Sequence, residues 1–289
     1  MKALKENRFL SFIVIFIVYL IAISVSVIIY NLLSFNYLIN LLIADIIGTA
    51  ITFVFSLIFN NSSVYDPYWS VAPIVVVIGL SIKFGLNSMT LFFLIAIILW
   101  GIRLTLNWAY TFTNLTHEDW RYRMYKERFP KIYPIINFFG IHLFPTLVVY
   151  LCMLPMVVSF YEAIDNNYLI IIGFSISIMA MFLQLISDIE MHKFRKLETH
   201  SLINVGLWKY SRHPNYLGEI LMWYGVYFMM LAVLPSSFYL FVGALVNSLM
   251  FIFISIPMAD KRQSKKEGYE LYKKNTHMLF PIPKKQYTE

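Results

Sequence analysis

Eight stretches of this chain stay apolar over about 20 residues, the length of helix needed to cross a bilayer. They fall near 9–33, 37–59, 67–83, 89–113, 135–160, 167–187, 215–233 and 236–257. The third is short and the seventh opens on a polar cluster, so seven or nine spans also fit the pattern. Only 13% of the 289 residues are charged, where a soluble domain carries about a quarter. The expectation is an all-α polytopic membrane helix bundle, with residues 1–289 forming a single integral domain.

Charge placement tests that count. With a cytoplasmic N-terminus, segments 1–8, 60–66, 114–134, 188–214 and 258–289 face the cytoplasm. They hold 3, 0, 5, 5 and 8 of the 23 lysines and arginines, which leaves only Lys83 and Arg103 elsewhere. The outer loop with Glu162 and Asp165 has no cation. This positive-inside pattern predicts an even number of spans with both termini cytoplasmic. The net charge of +7 therefore reads as topology and contact with anionic membrane lipid, not as a nucleic-acid surface. The run 9–33 is too long for a signal h-region and lacks a small-residue cleavage site, so it reads as the first span. A bacterial cytoplasmic membrane and a eukaryotic endoplasmic reticulum suit this pattern equally.

Several chemistries are excluded. A lone cysteine, Cys152, rules out an internal disulfide, a CxxC redox pair and a thiolate cluster. No HExxH or close histidine pair occurs, so no metal site is expected. No two glycines are closer than six residues, which removes GxGxxG and P-loop motifs. Any nucleotide would have to be held by membrane helices and loops.

The polar groups that remain are few. Between Val205 and Gly225, Lys209, Arg212, His213 and Asn215 come within seven residues, and Pro214 suits the first turn of a helix. Asn215 and Glu219 then share one helical face, which Trp223 continues. A glutamate one turn inside a membrane helix calls for a partner or a task. Asp45, within the second span, reads as an interhelical hydrogen bond or a buried proton. Asp66-Pro67 reads either as a helix cap or as a carboxyl group able to donate a proton, with Trp69 one turn deeper. Arg103 lies about 16 Å inside the fourth span, too deep for easy snorkelling, so an acid or an anionic ligand should pair with it. His117 to Tyr122, with Arg121, reads as an ion-pair network or one wall of a nucleotide site. Gln184, Asp188, His192 and Arg195 share one face of a helix leaving the membrane, and Arg195 suits a phosphate. Arg212 and His213 suit a phosphate as well. Most of these groups fall toward one membrane face, as a polar cytosolic ligand meeting a lipid from the bilayer would require.

The run Gly206-Leu207-Trp208-x-Tyr210-Ser211-Arg212-His213-Pro214-Asn215-Tyr216-Leu217-Gly218-Glu219, with Trp223 after it, resembles the C-terminal signature of the steroid 5-alpha-reductase superfamily. It looks most like the broad branch of bacterial and eukaryotic membrane proteins. Asp66-x-x-Trp69, Trp100-Gly101-x-Arg103-Leu104 and Glu118-Asp119-Trp120-Arg121-Tyr122 are similar to that branch too. The resemblance covers about 60–283, and the reductase-like part about 135–283. Arg-His-Pro-x-Tyr alone is shared with sterol reductases and isoprenylcysteine-type methyltransferases.

The resemblance implies NADPH as cofactor and hydride transfer to the activated C=C bond of a steroid, sterol or other isoprenoid-like lipid, with acid-assisted protonation. It places Gln184, Asp188, Arg195, Asn215 and Glu219 at the cofactor. Tyr210, Arg212, His213 and Tyr216 join them by motif, and Arg121 and Tyr122 by position. Asp66, Trp69, Trp100 and Arg103 are the catalytic candidates. Asp66 stands near the family's catalytic glutamate, and Trp100 stands where the steroid enzymes have a tyrosine. An indole does not protonate an oxyanion as a phenol does, so this departure bears on steroid enone chemistry more than on NADPH. The alternatives are a membrane methyltransferase using S-adenosylmethionine and a non-catalytic lipid-binding protein.

Overall fold

The computed structural model describes residues 2–162, 164, 166–197 and 201–285; Asp165 lies outside them. The chain is an all-α polytopic helix bundle, with eight helical segments long and apolar enough to cross a membrane. A short α1 (Lys2–Glu6) precedes α2 (Arg8–Leu32), α3 (Tyr37–Phe59), α4 (Tyr68–Phe84) and α5 (Thr90–Thr111). A helix outside the spans, α6 (Trp120–Arg128), leads to the one-turn α7 (Tyr133–Ile135). A π-helical turn, Ile136–Leu143, joins α7 to α8 (Phe144–Tyr161). Then come α9 (Ile170–Arg195), α10 (Pro214–Val233), α11 (Val242–Met250), α12 (Ile256–Gln263) and α13 (Tyr269–Asn275). A second π-helical turn, Phe251–Ser255, makes α11 and α12 one span from Pro235 to Gln263.

Local chemistry explains the ends. Asn7 and Asn36 cap α2 and α3 by accepting the amides of Leu10 and Leu38. Asn60 closes α3 in the left-handed region at φ 47°, which asparagine tolerates. Pro214 starts α10, as the sequence predicts. Asp66 does not cap α4: the helix starts at Tyr68 after Pro67, without a side-chain cap. A 3-10 turn, Ser62–Val64, ends just before Asp66, and the carboxyl group serves another partner.

The chain forms two compact units. The first holds residues 1–85 and 101–154, and the second holds 86–100 and 155–289. In the first, Ile15, Val18, Tyr19, Val64, Tyr65, Tyr68, Phe112 and Leu115 make a buried core. Polar threads cross it. Thr146 Oγ1 meets both Thr49 Oγ1 and Tyr65 Oη at 2.8 Å, and Tyr68 Oη donates to Asp45 Oδ1 at 2.9 Å. Asp45 thus has the interhelical partner that a carboxyl group inside a span requires.

In the second unit, α9 and α10 lie so close that their backbones touch. A Cβ on Gly173 would strike the Met229 amide and the Gly225 carbonyl. One on Gly218 would strike Gln184 and the Ala180 carbonyl. This is the small-residue packing that holds membrane helices together, where no hydrophobic effect drives them.

Candidate functional site

In the first unit the polar groups gather around Asp66. Tyr122, on α6, donates to Asp66 Oδ1 at 2.7 Å. Asp119 caps α6 by accepting the Arg121 amide, and also pairs with Arg121 Nε at 2.8 Å. Glu118 is buried; it accepts the Ser62 amide at 2.6 Å and binds Lys126 Nζ at 2.8 Å. Asp66 and Glu118 thereby tie the turn at 62–66 to α6 and its entry. Burial, and then the nearby Asp66 charge, push the Tyr122 phenol well above its ordinary range. Tyr122 therefore keeps its proton and acts as the donor to the carboxyl group. Trp69 is half-buried on the first turn of α4. Arg103 is buried in α5, 9% exposed. Gly101, two residues before it, lets α5 approach Ser70 and Ile74 of α4.

In the second unit, the tryptophan before that glycine, Trp100, is fully buried and donates Nε1 to Glu219 Oε2 at 3.0 Å. Trp223 donates to the other oxygen at 3.2 Å. The two indoles meet edge to face, with centroids 4.9 Å apart. Glu219 thus has the partners its depth demands, and the indole N–H of Trp100 is engaged by it. The i, i+4 spacing of Glu219 and Trp223 is visible in the sequence. The third member is 119 residues away and is not.

The rest of the motif binds the end of the chain. Tyr210 O accepts the His277 amide, and the Arg212 amide donates to His277 O, both at 2.9 Å. Ser211 Oγ donates to Leu279 O at 2.6 Å, and Tyr272 Oη to Trp208 O at 2.7 Å. Arg212 Nη1 donates to Thr276 O at 3.1 Å. His213 Nε2 is 2.8 Å from Asp260 Oδ1, and Arg212 Nε is 3.5 Å from the same oxygen. Tyr216 stacks on His213 at a 9° interplanar angle. Asn215 follows Pro214 on the first turn of α10, half-buried. Burial raises the Tyr272 phenol above its ordinary range, so it stays a donor.

Asp260 was not singled out from sequence. Its only signal there is a carboxylate just past the last apolar run. Asp260→Ala should leave Arg212 and His213, 9% and 6% exposed in their side chains, without their carboxylate. The expected loss is about 1–3 kcal/mol. Thermal unfolding in detergent reads it, together with faster tryptic cleavage at 261–274. Asp260→Asn should fall between the two.

A third cluster is cationic. Arg195 ends α9, Arg262 lies on α12 and Lys266 in the turn after it. Arg195 feels the charge of Arg262, and Lys266 feels the charge of both. Burial, and then Arg262 and Arg195, lower the Lys266 ammonium below its ordinary range. Lys266 Nζ also donates to Ser201 O at 2.9 Å. Asp188 lies within electrostatic reach of Arg195. Further up α9, Gln184 is 1% exposed. Neither its amide nitrogen nor its oxygen has a hydrogen-bond partner among the described residues. His192 is half-buried on the same helix. Among the described residues no group of three metal-ligating side chains occurs.

A membrane-spanning helix bundle with a Trp–Glu–Trp centre and an Arg-His-Pro-Asn-Tyr latch is the class of protein that fold and site define. Residues 52–276 match the family described as a protein of unknown function, DUF1295, part of the steroid 5-alpha-reductase-like superfamily; the chain belongs to that family. It is also similar to "Uncharacterized protein C594.04c" of Schizosaccharomyces pombe (strain 972 / ATCC 24843), 25% identical over 222 residues. That alignment covers 66% of this chain and 63% of the relative's length. No solved structure matches.

Proposed function

We propose that the protein is an NADPH-dependent membrane reductase of an activated C=C bond in a steroid, sterol or other isoprenoid-like lipid. One observation carries the reading: Arg195, Arg262 and Lys266 arrive from separate elements and crowd one another. Like charges held together are a cost unless an anion relieves it, and a phosphate-bearing cofactor is such an anion. The fit extends to Gln184, whose buried amide offers an unused donor and acceptor of the kind a carboxamide or ribose completes. S-adenosylmethionine carries no phosphate for these cations to meet.

When bound, NADPH supplies the hydride. The chain's own groups do the rest. Arg195, Arg262 and Lys266 bind and orient phosphate, and Asp188 holds Arg195 in place. Within the first unit, Tyr122 keeps its proton on Oη and donates it as a hydrogen bond to Asp66. Trp100 and Trp223 fix Glu219 within the apolar interior.

The test is thermal shift of the purified protein with NADPH, NADH and S-adenosylmethionine. A ligand that binds only the folded state raises its apparent stability. NADPH should stabilise most. Arg262→Ala and Lys266→Ala should each weaken it about tenfold, the worth of a charge-assisted hydrogen bond. The double substitution Arg195→Ala/Arg262→Ala should remove most of the preference over NADH. Stabilisation by S-adenosylmethionine instead, or an unchanged NADPH response in the double variant, overturns the reading.

A further inference from the structure

The first unit contains a partly open cavity of about 290 Å³, lined by Ser56, Leu57, Asn60, Ser62, Lys126, Pro130, Tyr133, Pro134 and Asn137. No motif pointed to it. An apolar cavity of about 150 Å³ holds benzene, so this one admits a larger molecule. Asn137 sits on the π-helical turn Ile136–Leu143, and such turns are frequent where a helix carries function.

The hydrogen-bonding inventory of the wall selects the ligand. Lys126 looks like an anion site and is not one. Its three N–H bonds go to both oxygens of Glu118, at 2.9 and 2.8 Å, and to Asn60 O at 2.9 Å. The pair is neutral and saturated. Asn137 is 1% exposed. Its Nδ2 donates to Ser56 Oγ at 3.1 Å, and Ser56 Oγ donates its own proton to Phe53 O at 2.7 Å. With that proton committed, Ser56 can only accept from Asn137, and this fixes the amide's orientation. Asn137 Oδ1 is left buried and without a partner among the described residues. It requires a donor. In the same wall, Ser62 Oγ and Tyr133 Oη are 2.6 Å apart, one hydroxyl donating to the other. The second hydroxyl proton of that pair is free to be given away.

One orphan acceptor and one spare hydroxyl donor, in a neutral wall otherwise made of Leu57, Pro130, Pro134, the Asn60 amide and the Tyr133 ring, suit a small group that both donates and accepts. A hydroxyl donates once and accepts at the same time. We infer that this cavity binds the hydroxyl end of a neutral apolar alcohol, its O–H given to Asn137 Oδ1 and its oxygen accepting from the Ser62–Tyr133 pair. A carboxylate or phosphate ester is disfavoured, because it offers no donor to Asn137 and meets no free cation. The site is distinct from the cationic cluster and does not depend on the NADPH reading. The alcohol has two possible sources, a membrane lipid alcohol or a small dissolved one, and both present the same chemistry.

The test uses the full chain in lipid nanodiscs. Binding of farnesol, of the hydrocarbon farnesene and of cyclohexanol is followed by saturation-transfer NMR and by thermal shift. Farnesol should bind about tenfold tighter than farnesene, the worth of one to two buried hydrogen bonds. Tyr133→Phe, which keeps the ring, and Asn137→Leu, which removes the orphan, should each cut that preference to about twofold or less while farnesene binding persists. Cyclohexanol displacing farnesol at millimolar concentration would assign the site to small alcohols, and its failure to do so would assign it to a lipid. Equal binding of farnesol and farnesene to the unaltered protein overturns the inference. So does a preference that survives Tyr133→Phe in a variant with unchanged melting.

Discussion

Gly225→Leu should leave no folded protein. At this position a Cβ alone would meet Ser177 Oγ, the Ser177 amide and the Gly173 carbonyl oxygen. Two of those three atoms are backbone of the facing helix and cannot turn aside as a side-chain tip can. Overpacking of a well-filled interior costs about 1–3 kcal/mol. Gly225→Ala should show that cost as a lowered melting temperature in detergent. Leucine should exceed it, because α9 and α10 touch along most of their length and parting them at one point parts them at others. Gly79 on α4 is the control, with no atom within 4 Å of its added Cβ. Gly79→Ala should be neutral or stabilising by up to about 1 kcal/mol, the helix preference of alanine over glycine. Equal behaviour of Gly225→Ala and Gly79→Ala would refute the close packing of α9 on α10.

Glu219→Leu is the second large effect. It fills roughly the same volume but leaves the N–H groups of Trp100 and Trp223, 0% and 1% exposed, without their acceptor. Each buried orphan donor costs about 1–3 kcal/mol, so the pair should cost about 4 kcal/mol. Glu219→Gln keeps one acceptor and turns an N–H toward the other indole, so about half that loss is expected. Tryptophan emission separates this from general unfolding, because both indoles should shift before the helices melt. If Glu219→Leu melts like the unaltered protein, the Trp–Glu–Trp centre contributes nothing to the fold.

The spans were legible because apolar length is a one-dimensional signal, and all eight runs became helical spans. Local spacing was legible too. Pro214 opens α10, and Glu219 and Trp223 meet one turn apart. What could not be read was every pairing across the chain: Trp100 with Glu219, Tyr122 with Asp66, Asp260 with His213. Such contacts leave no periodicity. Asp66 shows where a local rule stops: Asp-Pro allows a cap or a carboxyl group with another task, and only the fold shows that the carboxyl group meets Tyr122 and caps nothing. Past Pro257 the chain continues through α12 and then forms α13. Asn137 was invisible for a related reason. One amide in an apolar run reads as ordinary helix, and nothing in the residue pattern marks a turn that widens from four residues to five.

The latch between residues 208–216 and 260–279 also sets an order on biogenesis. Arg212 and His213 are synthesised before Asp260, and the other acceptors of Arg212, at Thr276 and His277, come later still, as does Leu279, which Ser211 binds. Until then the entrance to α10 carries the Arg212 guanidinium, the His213 ring and backbone amides with no permanent partner. The seventh span can therefore insert during synthesis but can settle only after the last helices arrive. A nascent chain halted before residue 260 would display that unfinished surface to the membrane's insertion and quality-control machinery.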